Sequence, residues 1–85
     1  MRKPDTATYL IPHAEACCHR VEVKGRALGV TRVVVQAQPD AAARICLYGR
    51  PVRDGTVVGP ESPLTVEVVT ARYICRALGI NVPTS

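Results

Sequence analysis

At 85 residues, 47% apolar and +4 in formal charge, the chain is sized for one domain with one small core. It has no Phe or Trp, and with three tyrosines as its only aromatics a stacking platform for single-stranded nucleic acid is hard to build. No apolar run approaches the ~20 residues of a membrane span, and residues 1–11 lack the apolar middle of a secretory signal; a cytoplasmic protein with no membrane partner is the expectation.

Residues 1–5 read as a disordered N-terminus of a single domain spanning 1–85. "TATYLI", residues 6–11, alternates and is β-rich until Pro12 breaks it, which predicts a first strand. "HRVEVK", residues 19–24, predicts a half-buried strand with Val21 and Val23 on one face and Arg20, Glu22 and Lys24 on the other. After the link "GRALGV", the three valines of "TRVVVQAQ", residues 31–38, suit a more central strand.

At "PDAAARICLYG" the period reads as helical. Pro39 suits the first helical position, Asp40 the first turn and Gly49 the position past the end. Ala41, Ala42, Ile45, Cys46 and Tyr48 would face inward and Arg44 outward. Asp54-Gly55, flanked by Val52 and Val57, signals a hairpin turn, and a Gly/Pro loop follows. "LTVEVV", residues 64–69, reads as a late strand. Thr70 can then cap a short helix with Ala71, Ile74, Cys75 and Leu78 inward, Gly79 past its end, Ile80 folding back, and residues 81–85 as a tail. The order β-β-β-α-β-α, with a hairpin before the last strand, predicts a two-layer α+β fold. One central helix and a short C-terminal helix would pack on a small, mainly antiparallel sheet.

The segment "HAEACCHR" gathers His13, Cys17, Cys18 and His19. Zinc sites usually present two ligand pairs with two to four residues between members, whereas Cys17 and Cys18 are adjacent and diverge in an extended chain. His13 and Cys17 would share a face if the segment formed a helical turn, but a further ligand would have to come from His19, Cys46 or Cys75. Cys46 and Cys75 have a simpler reading as small apolar residues on inward helix faces. No metal and no cofactor are expected; a disulfide or dimer link through Cys17 or Cys18 stays open beside a plain loop role. Glu15, Glu22, Asp54 and Glu61 fall in loops or on outward positions, with no carboxylate or histidine pair at a catalytic spacing, so no enzyme is expected. "ARYICRALGIN" has the rhythm of a helix-turn-helix, but a recognition helix would begin about where Ser85 stands; a terminal helix closed by Gly79 is the expectation.

Nine arginines and two lysines, spread without a run, suit bidentate contacts to carboxylate or phosphate. Arg20, Lys24, Arg32, Arg50 and Arg53 come from strand faces and turns that the expected order brings near one another, and they form the candidate basic binding surface.

The pairing of "TYLI" with "RVVVQAQPDAAARICLYG", across residues 8–49, resembles small proteins of phages and other mobile elements, anti-CRISPR proteins among them. Several of those begin with a Tyr-Leu-Ile-like strand and run a later strand straight into an Ala-rich helix. The resemblance is one of layout and assigns no residue by position. It implies a non-catalytic inhibitor bound to a host protein or ribonucleoprotein, with non-specific nucleic-acid contact as an accessory, acting as monomer or homodimer. Two other readings stand beside it: a DNA-binding regulator, dimeric through an exposed strand such as residues 31–38 or 64–69, and a metal- or thiol-dependent protein using His13, Cys17, Cys18 and His19.

Overall fold

The computed structural model describes residues 6–39 and 41–82. Two 13-residue strands, β3 (Arg26–Gln38) and β4 (Ala41–Arg53), pair antiparallel and form its spine. Strands of that length run about 43 Å at ~3.3 Å per residue, which accounts for an elongated molecule of 46 × 20 × 20 Å. Along the outer edge of β3 lie β1 (Thr6–Leu10) and β2 (Arg20–Val23), end to end; along the outer edge of β4 lie β5 (Thr56–Val57) and β6 (Ser62–Leu64). Among the described residues all the strand pairings are antiparallel, and two helices, α1 (His13–Ala16) and α2 (Val68–Ala77), complete an α+β fold.

The two tight hairpins form where the chain carries Lys24-Gly25 and Asp54-Gly55, all four at positive φ (52, 77, 53 and 74°). Such turns match the right-handed twist of the flanking strands, and Val52 pairs with Val57 as the turn signal required. The first strand, the half-buried second strand and the central position of residues 31–38 are also as expected, but β3 begins at Arg26, so the supposed link is strand.

Of the expected central helix over residues 39–49, residues 41–49 are instead part of β4. Its inward set is Ala43, Ile45, Leu47 and Gly49, at period two, while Ala41, Ala42 and Cys46 are exposed. Ala is neutral to either period and Ile45 belongs to both, so the long ladder with β3 decides the matter. The strand-into-helix layout that carried the family resemblance is therefore strand-into-strand here. The late strand is corrected as well: only Ser62–Leu64 pair with β4, and Val68 and Val69 open α2, whose N-cap is Glu67 rather than Thr70.

At the other end of α2 the reading holds. Gly79, at φ 76°, donates its N–H to Arg76 O at 3.1 Å, and Ile80 donates to Cys75 O at 2.8 Å before burying its side chain. This is a Schellman closure. The expectations for residues 1–5 and for Asp40 fall outside the described residues, as does the tail beyond Val82.

One sheet face carries the core. Tyr9, Val33, Leu47 and Leu64 form a row across four strands, and Ala71, Ile74 and Cys75 of α2 pack over that face with Val30 and Val35. A bulge at Thr31 keeps both halves of β3 inward, switching the core positions from Leu28 and Val30 to Val33 and Val35. Burial pushes the Cys75 thiol pKa up, so it stays protonated among its apolar neighbours. Among the described residues no helix is long and apolar enough to cross a membrane.

Candidate functional site

The face opposite α2 is where the polar residues converge. Directly paired residues project to the same side of a sheet, so this face carries the rows Leu10–Arg32–Tyr48–Pro63, Thr8–Val34–Cys46 and Thr6–Gln36–Arg44, with Arg20–Gly29–Arg50 toward the β2–β3 turn. The last row is overlain by α1, whose Ala16 carbonyl sits above Gly29. From Arg32 outward no helix of the described residues lies over the face, and Leu10 is 77% exposed.

Four groups meet at the bulge. The Arg32 guanidinium stacks on Tyr48 with its centre 4.5 Å from the ring centroid, and Arg32 Nη2 forms a short ion pair with Glu61 Oε1. The other carboxylate oxygen of Glu61 accepts from the buried Thr31 hydroxyl at 2.8 Å, and that hydroxyl also lies 3.4 Å from Tyr48 O. Nearby, Arg50 Nε donates to Gly59 O at 2.7 Å, and its Nη1 lies 3.2 Å from His13 Nε2. Arg32 and Arg50 are thus held in place rather than swinging freely.

Of the five basic residues read from the sequence, Arg20, Arg32 and Arg50 share this face. Lys24 is in the β2–β3 turn and Arg53, at the end of β4, belongs by alternation to the opposite face, so the five do not form one patch. Arg44, Tyr48, Thr31 and Glu61 were missed. Glu61 lies 30 residues from Thr31 and 29 from Arg32 in sequence, and no local pattern announces such a pairing. Alternation along β4 would have placed Tyr48 beside Arg50 once residues 41–53 were recognised as strand.

Single-turn α1 puts His13 against Arg50, while Cys18 Sγ lies 3.5 Å from Ala14 O. Cys46, expected inside a helix, is exposed on the open face; Cys75 is buried on α2 as expected. Among the described residues no group of three or more His, Cys, Asp or Glu is placed to hold a metal ion.

Comparison with protein-family models, curated proteins and solved structures finds no match. A stacked, ion-paired arginine beside exposed apolar residues is equipped to bind an anionic surface, and Glu61 serves it as a tether.

The tether is measurable. Glu61→Gln keeps an acceptor for Thr31 and removes the charge facing Arg32; because both side chains are partly solvated, the expected loss is about 0.5–1 kcal/mol. Urea denaturation at low and high salt checks this: the gap between parent and variant should narrow as salt screens the pair. An unchanged gap would show that the charge contributes nothing.

Proposed function

We propose that the protein is a small non-catalytic binding protein that docks its open sheet face onto an acidic surface of a host protein or ribonucleoprotein. The observation that carries this is Arg32, stacked on Tyr48 and tethered by Glu61 on a face that no helix covers. Tyr and Arg dominate the energetics of protein interfaces, and an arginine already held in one conformation loses less side-chain entropy on binding. Arg20, Arg32, Arg44 and Arg50 outweigh Glu22 and Glu61 across the described part of the face, so its complement is acidic.

The sharpest form of the reading is an anti-CRISPR-like inhibitor that acts by occupancy, with stoichiometric binding and no turnover. The experiment is a pull-down with tagged protein from a CRISPR-containing bacterial lysate, with and without nuclease, identified by mass spectrometry and repeated with Arg32→Glu and Arg44→Glu. A defined protein complex that survives nuclease and is lost in both variants supports the reading.

A second reading has its own observation. The solvent side of α2 presents Arg72, Tyr73 and Arg76, Tyr73 being 72% exposed, and the helix contains no acidic residue. Those residues suit phosphate contacts of a DNA-binding regulator. Recovery of nucleic acid alone, lost on nuclease treatment, would overturn the docking proposal in favour of this one, and binding to bare duplex should then weaken steeply with salt.

A further inference from the structure

We infer that β1 is a self-association edge. Two copies of the chain pair through Thr6–Leu10, antiparallel about a two-fold axis at Thr8, and join their sheets into one.

The hydrogen-bond phase of β1 carries the inference. Ile11 donates its N–H to Thr31 O at 2.9 Å, continuing the register in which Leu10 pairs Arg32 and Tyr9 pairs Val33. In an antiparallel ladder, bonded and non-bonded pairs alternate. Ile11, Tyr9 and Ala7 therefore turn their backbone groups toward β3, and Thr6, Thr8 and Leu10 turn theirs outward. Among the described residues no strand pairs with that outer edge.

The outward positions are symmetric about Thr8. When a second β1 is laid antiparallel with Thr8 opposite Thr8, Thr6 of each copy falls opposite Leu10 of the other. Every outward N–H then meets a C=O. The segment "TATYL" contains no charge, proline or glycine, and its pairing with β3 has no bulge, so it lacks the devices that ordinarily blunt an exposed edge. Among the described residues the other unpaired edges are those of β2, which carries Arg20 and Glu22, of the short β5 and β6, and of β4 before Leu47, which carries Arg44. Although the chain is basic, β1 brings no like charges together.

Among the described residues the surroundings leave room. β2 occupies the same edge of β3 but lies beyond Leu10, and the partner's chain leaves its own Leu10 past Thr6, away from β2. Because the axis is perpendicular to the sheet, both open faces look the same way and both α2 helices lie behind. The dimer thus presents two Arg32–Tyr48 sites on one continuous face. This association does not depend on the docking proposal, since a monomer can bind through Arg32 equally well.

The test is sedimentation of the full chain across micromolar concentrations, for the parent, Thr8→Lys, Thr8→Glu and an equimolar mixture of the two variants. Thr8 is exposed, so both variants should keep the parent circular dichroism. Across the axis the two residues stand about 5.5 Å apart, where like charges oppose pairing and opposite charges favour it. The expected result is a parent of twice the chain mass, variants whose association is weakened more than tenfold, and a mixture that regains the dimer. Without any substitution, amide exchange at Thr8 and Leu10 of the parent should slow as concentration rises. A parent at chain mass throughout, a dimer that survives both substitutions, or single variants that do not recombine would each overturn the inference, as would an edge that takes only a strand from a different protein.

Discussion

Gly49→Ala is expected to lower stability by about 2 kcal/mol and the unfolding midpoint by about 10 °C, given 4–8 °C per kcal/mol for a chain of this size. Gly49 pairs with Val30 beside the bulge, and a Cβ there would stand 2.6 Å from Gly29 O and 2.9 Å from Leu64 Cδ1. Leu64 can rotate, but the Gly29 carbonyl belongs to the backbone of β3. Glycine ordinarily weakens a strand, and alanine would recover up to ~1 kcal/mol of unfolded-state entropy. Overpacking at a fixed backbone atom costs about 1–3 kcal/mol, so the clash wins. Gly29→Ala is the informative comparison. Its Cβ would meet Ala16 O at 2.7 Å, but that carbonyl belongs to single-turn α1 rather than to a paired strand of the sheet. Thermal unfolding of the two variants should therefore show the larger loss for Gly49; a parent-like midpoint would contradict the close strand approach.

A second large effect is expected at Leu47, 2% exposed and central to the row Tyr9–Val33–Leu47–Leu64. Leu47→Ala removes buried methyls from a site closed by α2 and should cost about 3 kcal/mol, within the 2–5 kcal/mol range for such truncations. Cys46→Ala, one residue away on the open face, should change stability by less than about 0.5 kcal/mol, as exposed substitutions usually do. A helix over residues 39–49 would rank the two in reverse, since Cys46 would then lie on the buried side. Urea titrations of both variants separate the alternatives, and equal losses would contradict the strand alternation of β4.

Much of the rest was readable where the signal is local. Positive φ at Asp54 and Gly55 is a property of the two residues themselves, and so is the ability of Gly79 to close α2 and send Ile80 inward. Val21 and Val23 alternate with charged residues, which leaves one sensible way to lie on a sheet. The candidate face was legible only in fragments. Arg20, Arg32 and Arg50 are visible as basic residues of strands, but their shared face depends on the registers of β2, β3 and β4, and nothing in the neighbourhood of Arg53 reveals which side of β4 it takes.

By itself the sequence determined the Asp54-Gly55 turn, the first two strands, the central strand over residues 31–38, and the inward face and end of the C-terminal helix. In each of these a few adjacent residues restrict φ or repeat an apolar period that suits only one element. Tertiary structure decided the rest. Residues 41–53 satisfy both periods, and they are extended because β3 offers them a ladder along nearly its whole length. Residues 64–69 leave the sheet after Leu64 because β4 pairs with only Ser62–Leu64, and the freed chain turns into α2 over the core. The meeting of Thr31, Arg32, Tyr48 and Glu61 is of the same kind. It needs a bulge, a strand pairing and a loop returning from some thirty residues away, and contacts at that separation leave no periodic trace in the chain that makes them.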